Sequence, residues 1–382
     1  MKKGWETLPL SEVCRTFQYG TSAKSSKEGT HPVLRMGNIQ GERISWENLK
    51  YTSNKDEIAK YGLETNDILF NRTNSPELVG KSAIYDGTRE ALHAGYLIRV
   101  QVICGRLSAH FLNYYLNSPK TREHGFSVMS SSVNQANINA SKLKAYLINL
   151  PSLSEQEEIV EILDKAFAAI DQAKANIEHN IANAKELFQS KLNQIFSHKG
   201  EGWVEMTLGE VCENLDRQRI PITKDKRTEG AIPYYGASGI VDYVADYIFD
   251  EDLLLVSEDG ANLLARTYPI AFSISGKAWV NNHAHVLRFK DTASQIFIEY
   301  YLNSIRLDDY ISGMAQPKLN QKKLNSITVP FPDLPQLRET VSAIEALDSE
   351  LKKLSSANQA KLASLDELKK SILQKAFAGE LT

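Results

Sequence analysis

Trp5-Glu-Thr-Leu-Pro-Leu-Ser-Glu-Val-Cys14 returns as Trp203-Val-Glu-Met-Thr-Leu-Gly-Glu-Val-Cys212, with the shared LxEVC ends 198 residues apart. Working outward, Tyr114-Tyr-Leu-Asn-Ser118 returns as Tyr300-Tyr-Leu-Asn-Ser304 at an offset of 186. From Gln135 against Gln316 the offset settles at 181, pairing Leu143 with Leu324, Pro151-Ser-Leu153 with Pro332-Asp-Leu334 and Val160 with Val341. The same register carries Leu187, Ser190, Leu192 and Phe196 onto Leu368, Ser371, Leu373 and Phe377. The chain is an internal duplication. Its 17-residue loss of offset falls inside two modules that otherwise have little sequence in common. A fixed frame around divergent modules suggests one docking geometry used to read two different things; the alternative is two domains that drifted apart.

Each module is followed by a stretch with helical periodicity. Ile159, Leu163, Phe167, Ile170, Ala173, Ile177, Ile181, Ala184, Leu187 and Ile195 form one stripe. Leu337, Val341, Ile344, Leu347, Leu351, Leu354, Leu362, Leu365, Leu368 and Ile372 form the other. Both stripes are narrow and flanked by Lys, Glu, Gln and Asn, the pattern of a coiled-coil seam. Each follows a proline-containing stretch, and Ser154 to Glu157 reads as a capping box. A run of about 40 residues would be about 60 Å long. Connectivity makes the two helices antiparallel, with a pseudo-two-fold relation between the halves. The expected divisions are 1–150, a first module; 151–199, a helical spacer; 200–331, a second module; and 332–382, a second spacer.

Inside the modules, Asp67–Phe70, Tyr96–Val102, Leu253–Val256 and Ala284–Phe289 read as short strands, and Ala109–Leu116 and Gln295–Leu302 as helices. The fold class expected is therefore mixed α/β (α+β), two modules with small irregular sheets joined by long helices.

The chain's 382 residues, 42% of them hydrophobic, suit two domains with real cores. No window approaches the roughly 18 apolar residues of a membrane span, and MKKGWETLPL lacks a signal-peptide core, so a soluble cytoplasmic protein is expected. Cys14, Cys104 and Cys212 are far apart and form no zinc or disulfide pattern. The net charge of -3 conceals an asymmetry: 19 Lys and Arg against 13 Asp and Glu in residues 1–150, but 13 against 18 in residues 200–330. Any polyanion binding must rest on local patches.

The framing WETLPLSEVC and VEMTLGEVC, the pre-helix LPSLSEQEEIVEIL and FPDLPQLRETV, and the helix ends ELFQSKLNQIF and ELKKSILQKAFAGEL resemble the specificity subunit of type I restriction-modification systems. So do Leu34-Arg-Met-Gly-Asn-Ile39, Asp67-Ile-Leu-Phe-Asn-Arg72, Pro233-Tyr-Tyr-Gly-Ala-Ser-Gly-Ile240 and Ser257-Glu-Asp-Gly-Ala-Asn262. The resemblance spans nearly the whole chain. It implies two target-recognition domains, each reading half of a bipartite asymmetric site in double-stranded DNA, and helices that act as a ruler for the spacer. It further implies assembly with two methyltransferase subunits and with motor-nuclease subunits. Those partners would supply the S-adenosylmethionine, ATP and Mg2+ chemistry, with no cofactor in this chain.

Arg, Asn and Gln suit bidentate contacts to bases, whereas Lys, Ser and Thr mostly position phosphates. The DNA-contact candidates in module one are therefore Tyr19, Thr21, Ser22, Lys24, Lys27, Arg35, Asn38, Asn71, Arg72, Asn74, Ser131, Asn134 and Gln135. In module two the densest basic patch is Arg217, Arg219, Lys224, Lys226 and Arg227, confined within an acidic module. Tyr235, Ser238, Lys277, Asn282, Gln316 and Lys318 are weaker candidates, as are Tyr234, Gly236, Gly239 and Asn281.

Two other readings compete. His283-x-His285 with Asp242, Asp246, Asp250, Glu251, Asp252, Glu258 and Asp259 suggests a metal-dependent nuclease, yet no PD-(D/E)xK or HxxxE pattern accompanies them. No glycine-rich cofactor loop, NPPY-like motif or Walker A is found, so catalysis by this polypeptide is not expected. A coiled-coil scaffold with two protein-binding modules is the remaining alternative.

Overall fold

Ser152 and Asp333 occupy the same position of the two repeats, and each starts a long helix. The Ser152 hydroxyl accepts the Glu155 N–H at 3.3 Å and the Asp333 carboxylate accepts the Gln336 N–H at 3.0 Å, satisfying donors that a helix start leaves bare. The helices span Leu153–Ser197 and Leu334–Ala378, 45 residues each. The cap is thus Ser152, and the expected box from Ser154 is corrected, because the helix has already begun at Leu153. These features come from a computed structural model that describes every residue but Met1, Lys3, Val133, Asn134, 198–201, Met314 and Thr382.

The chain divides into two compact units, residues 1–177 with 359–382, and residues 178–358. Each long helix therefore gives one half to each unit.

The first unit is built on a four-stranded sheet in the order Cys14–Tyr19, Leu97–Val102, Ile68–Asn71, Ser82–Ile84. Alternate side chains face opposite sides of a strand. Ile68, Phe70, Ile98 and Val100 accordingly enter one core with Phe111, Leu112 and Leu116 of the helix Ala109–Asn117, while Leu69 and Leu97 enter a smaller one with Leu34, Ile39 and Tyr85. The larger core also takes Ile159, Leu163 and Phe167 of the first long helix and Leu373 and Ala376 of the second. Lys369 lies 4.5 Å over the Phe167 ring and Lys174 pairs with Asp366, so numbering rises on one helix as it falls on the other. Within this unit the two segments run antiparallel.

The second unit repeats the plan in the order Glu213–Asn214, Ala284–Arg288, Leu253–Ser257, Ala271–Ile274. Leu254, Val256 and Leu287 face a core containing Phe297, Leu192, Phe196, Leu337, Val341 and Ile344. Leu253, Leu255 and Val286 face the other way. In both units a further small sheet contains a parallel pair, His31–Leu34 with Leu92–His93 in the first and Glu229–Gly236 with Lys277–Val280 in the second. The expected strands and both expected helices form, with ends shifted by up to three residues.

Part of the change in offset is visible. Between Ser118 and Ile138 the first unit builds the helix Pro119–Val128 and a hairpin; between Ser304 and Leu319 the second makes its return around a short 3-10 turn, Asp308–Tyr310.

Candidate nucleic-acid interface

Backbone hydrogen bonds identify equivalent positions in the two units more securely than sequence does. Arg72 N–H donates to the Tyr96 carbonyl and Ile138 N–H to the Arg72 carbonyl; Glu258 N–H donates to His283 and Leu319 N–H to Glu258. Ala94 N–H donates to Leu34, as Asn281 N–H does to Tyr235. Arg72 is therefore the counterpart of Glu258, Tyr96 of His283, and Leu34 of Tyr235. These residues sit where the central strands of the sheets end and turn back, so each unit gathers the same loops at one end of its sheet.

In the first unit those loops enclose two adjoining grooves of about 880 and 520 Å3 that share Arg35 and Tyr96. Tyr19, Thr21, Ser22, Lys24 and Arg72 line the larger, and Asn71 and Asn74 the smaller. Arg72 lies 4.8 Å over the Tyr19 ring and donates to the Gly95 carbonyl at 2.9 Å, which fixes its guanidinium plane. Arg35 donates to the Asn48 carbonyl at 2.8 Å. Among the described residues, Arg35 Nε, Arg72 Nε and Asn71 Oδ1 are buried with no hydrogen-bond partner. Burying polar groups unpaired costs free energy, and these three atoms lie beneath the groove surface, not on it. Lys50, Gln40, Lys81 and Tyr96 also line the grooves, and the sequence reading missed them. Tyr96 falls at the expected start of a strand; the strand begins at Leu97, after a turn at Gly95 and Tyr96.

Three expected contact residues in this unit, Asn38, Thr21 and Asn71, are buried and are corrected. Asn38 is 2% exposed and accepts the Arg35 N–H while donating to the Ser45 and Glu47 carbonyls, pinning the turn. Thr21 is buried, with its hydroxyl on Glu57. Asn71 is buried too but keeps its carbonyl oxygen unpaired. Lys27, Ser131 and Gln135 are exposed outside the groove walls, and Asn134 lies outside the described residues.

The basic patch expected in the second unit is thinner than its sequence. Arg219 bonds Glu258 at 2.8 Å and the Ala284 carbonyl at 2.6 Å; Arg227 bonds Asp242 at 2.8 Å and covers the Tyr234 ring at 4.2 Å. Both are corrected to internal roles, because carboxylates and a ring within the domain already occupy their guanidinium groups. Arg217, Lys224 and Lys226 remain exposed, as do Ser238, Lys277, Asn282, Gln316 and Lys318. Lys277 stands over Tyr247, Lys318 pairs with Glu258, and Ser238 bonds Tyr268. Tyr234 is core and Tyr235 half-buried.

The acidic residues that suggested a metal are mostly scattered among partners: Asp242 on Arg227, Glu251 on Arg288, Asp259 on His283. His283 is exposed whereas His285 is fully buried, so the two imidazoles do not share a site. Asp216, Glu258 and His285 do converge, with Arg219 and Lys318 bonded into the same cluster.

A duplicated sheet whose equivalent loops carry unlike side chains agrees with what sequence comparison finds. Residues 2–181 and 200–362 match the type I restriction modification DNA specificity domain. The chain belongs to that family. This specificity subunit has two recognition domains, one in each unit. The putative type I restriction enzyme MjaX specificity subunit of Methanocaldococcus jannaschii is 26% identical over 408 residues, covering 99% of this chain and 93% of that one. The putative specificity subunit S.HindORF215P of Haemophilus influenzae is 36% identical over 140 residues, 37% of this chain and 36% of the other. A chain from a structural study of complex assembly and conformational transition of the type I R-M system matches with a TM-score of 0.77 at 19% identity, over 100% of this chain and 99% of that one. The HsdS subunit of Thermoanaerobacter tengcongensis matches at 0.58 and 17%, over 100% and 98%. Among the described residues, no helix of the subunit is long and apolar enough to cross a membrane.

Proposed function

We propose that each recognition domain reads one half of a bipartite, asymmetric site in double-stranded DNA, and that the chain itself performs no catalysis. The observation that carries this reading is the pair of equivalent loop clusters at the strand ends, with different side chains, Arg72 in one and Glu258 in the other, on one repeated backbone plan. In the first domain the guanidinium groups of Arg35 and Arg72, residues that line the grooves, suit the acceptors of a guanine edge or a phosphate. Lys24 and Lys50 add phosphate-directed charge. In the second domain Arg217, Lys224, Gln316 and Lys318 are the corresponding exposed groups.

The long helices set the distance between half-sites, and the repeated framing docks two methyltransferase subunits, with motor-nuclease subunits joining them. S-adenosylmethionine, ATP and Mg2+ act on those partners. The duplicated caps and the 181-residue register support a twice-used dock.

Mapping methylated adenines in cells carrying the whole system tests this. Insertion of whole helical turns into Leu153–Ser197 is expected to lengthen the spacer and leave both half-site sequences unchanged. An unchanged spacer refutes the ruler, and methylation without sequence preference refutes the reading.

A further inference from the structure

Among the described residues of the second recognition domain, His285 is the most enclosed ionisable group, at 0% exposure. Its Nδ1 meets Asp216 Oδ2 at 2.6 Å and its Nε2 meets the Leu319 carbonyl at 2.7 Å. A carbonyl has no proton to give, and neither has an ionised carboxylate, so both ring nitrogens must donate. Asp216 is held ionised: burial pushes its carboxyl upward, but bonds from His285 and the Val286 N–H and the charge of Arg219 outweigh that and leave it below the usual range. The remaining groups facing the ring are Glu258, 3.8 Å away, Arg219, which bonds Glu258 at 2.8 Å and approaches Asp216 at 3.5 Å, and Lys318, 3.1 Å from Glu258. Arg219 and Lys318 thus already occupy the carboxylates of the cluster, an arrangement unsuited to a divalent ion.

The bridge joins two loops that carry exposed candidate contacts. Asp216 opens the 3-10 turn Asp216–Gln218, which contains Arg217; Leu319 ends the return segment bearing Gln316 and Lys318. The register of paired strands makes Ile98 the counterpart of His285 in the first domain, and Ile98 is buried in an apolar core. The ionic bridge therefore belongs to one domain alone.

We propose that protonated His285 is a positioning residue for DNA reading by the second recognition domain, holding the Arg217 turn and the Gln316–Lys318 segment in one arrangement. This rests on the half-site reading above. The full chain assembled with its methyltransferase partner is assayed on duplexes altered in one half-site at a time. His285→Gln is expected to lower discrimination at the second domain's half-site by about tenfold or more, with discrimination at the other half-site unchanged.

Asp216→Asn provides the conservative rescue, since its amide donates to Nδ1 of a neutral ring while Nε2–H still serves Leu319; near-normal discrimination is expected. Selective 15N-histidine spectra of the full chain should show protons on both His285 nitrogens, reduced to one in Asp216→Asn. Unchanged discrimination in His285→Gln, equal loss at both half-sites, a wild-type ring with one proton, or Zn2+ binding that requires His285 would each overturn the proposal. Absence of half-site discrimination in the unaltered complex would instead defeat the half-site reading, and this inference with it.

Discussion

Leu373 and Leu368 lie on the same helix, five residues apart, yet truncating them should have different consequences. Leu373 is 2% exposed and belongs to the first unit's core with Ile159, Leu163 and Phe111; Leu368 is 48% exposed. Leu373→Ala removes buried methyl groups and leaves a cavity, at a cost of about 2–5 kcal/mol. In a unit of about 200 residues, each kcal/mol lowers the melting temperature by about 2–4 °C, so a mid-range loss of about 3 kcal/mol predicts a drop of about 6–12 °C. Leu368→Ala should stay within about 0.5 kcal/mol of wild type. Hydrogen exchange read peptide by peptide locates the effect. Leu373→Ala should raise exchange in the helix Ala109–Asn117 and around Leu163, far away in sequence, while peptides around Leu254 and Phe297 stay protected. Equal effects of the two substitutions, or increased exchange confined to the second unit, would refute the assignment of residues 359–382 to the first core.

Gln156 is fully buried on the first long helix, accepting the Ser108 N–H at 2.8 Å and donating to the Arg106 and Pro151 carbonyls at 3.1 and 3.0 Å. Gln156→Ala should cost about 1–3 kcal/mol, measured by urea unfolding of the first unit, because three backbone groups lose their partner. Burial pushes the Cys14 and Cys212 thiols up to about 12, so native alkylation should modify the exposed Cys104 well before either, as peptide mass mapping would register. Burial also depresses His93 to about 4, against 6.5 for the free side chain, outweighing its backbone bonds to Gln18 and Tyr61. The unfolded chain then takes up a proton that the folded one refuses, so this contribution is fully present above pH 6.5 and declines by about 3 kcal/mol as pH falls toward 4. His93→Gln should flatten that part of the first unit's stability profile, measured by denaturant unfolding across the range. Arg72→Ala should cost about 1–3 kcal/mol of discrimination at one base position of one half-site, whereas Lys24→Ala should weaken all sequences alike; methylation mapping at several salt concentrations separates the two.

The frame of the molecule was legible because its signals are local or periodic. The 181-residue register even carries burial with it: Leu192 and Leu373 are both enclosed, Leu187 and Leu368 both exposed. The stripe itself overstated continuity. Leu187, Leu354 and Leu368 fit the periodic pattern but stand exposed; beside Leu187 and Leu368 it is Phe188, Leu192, Leu365 and Ile372 that pack against the cores. The contact residues were only partly legible, since a residue type does not reveal its direction. Arg219 and Arg227 suggested a basic surface until Glu258, 39 residues on, and Asp242, 15 residues on, supplied partners. Asn38 carries an amide suited to a base edge, and the fold uses that amide to fasten a turn. Asp216 and His285 are 69 residues apart, and only the sheet register brings them together.

The first unit has a consequence for biosynthesis. Domains generally fold in the order in which they leave the ribosome. Here residues 1–177 emerge early but lack Leu373 and Ala376, which close their core, until all of residues 178–358 have been made. The second unit is continuous in sequence, so the later domain can finish first and the earlier one must wait for its last segment. A nascent chain cut short before residue 359 would then hold one finished reading head beside an open one, exposing apolar surface that marks it for chaperones and proteases.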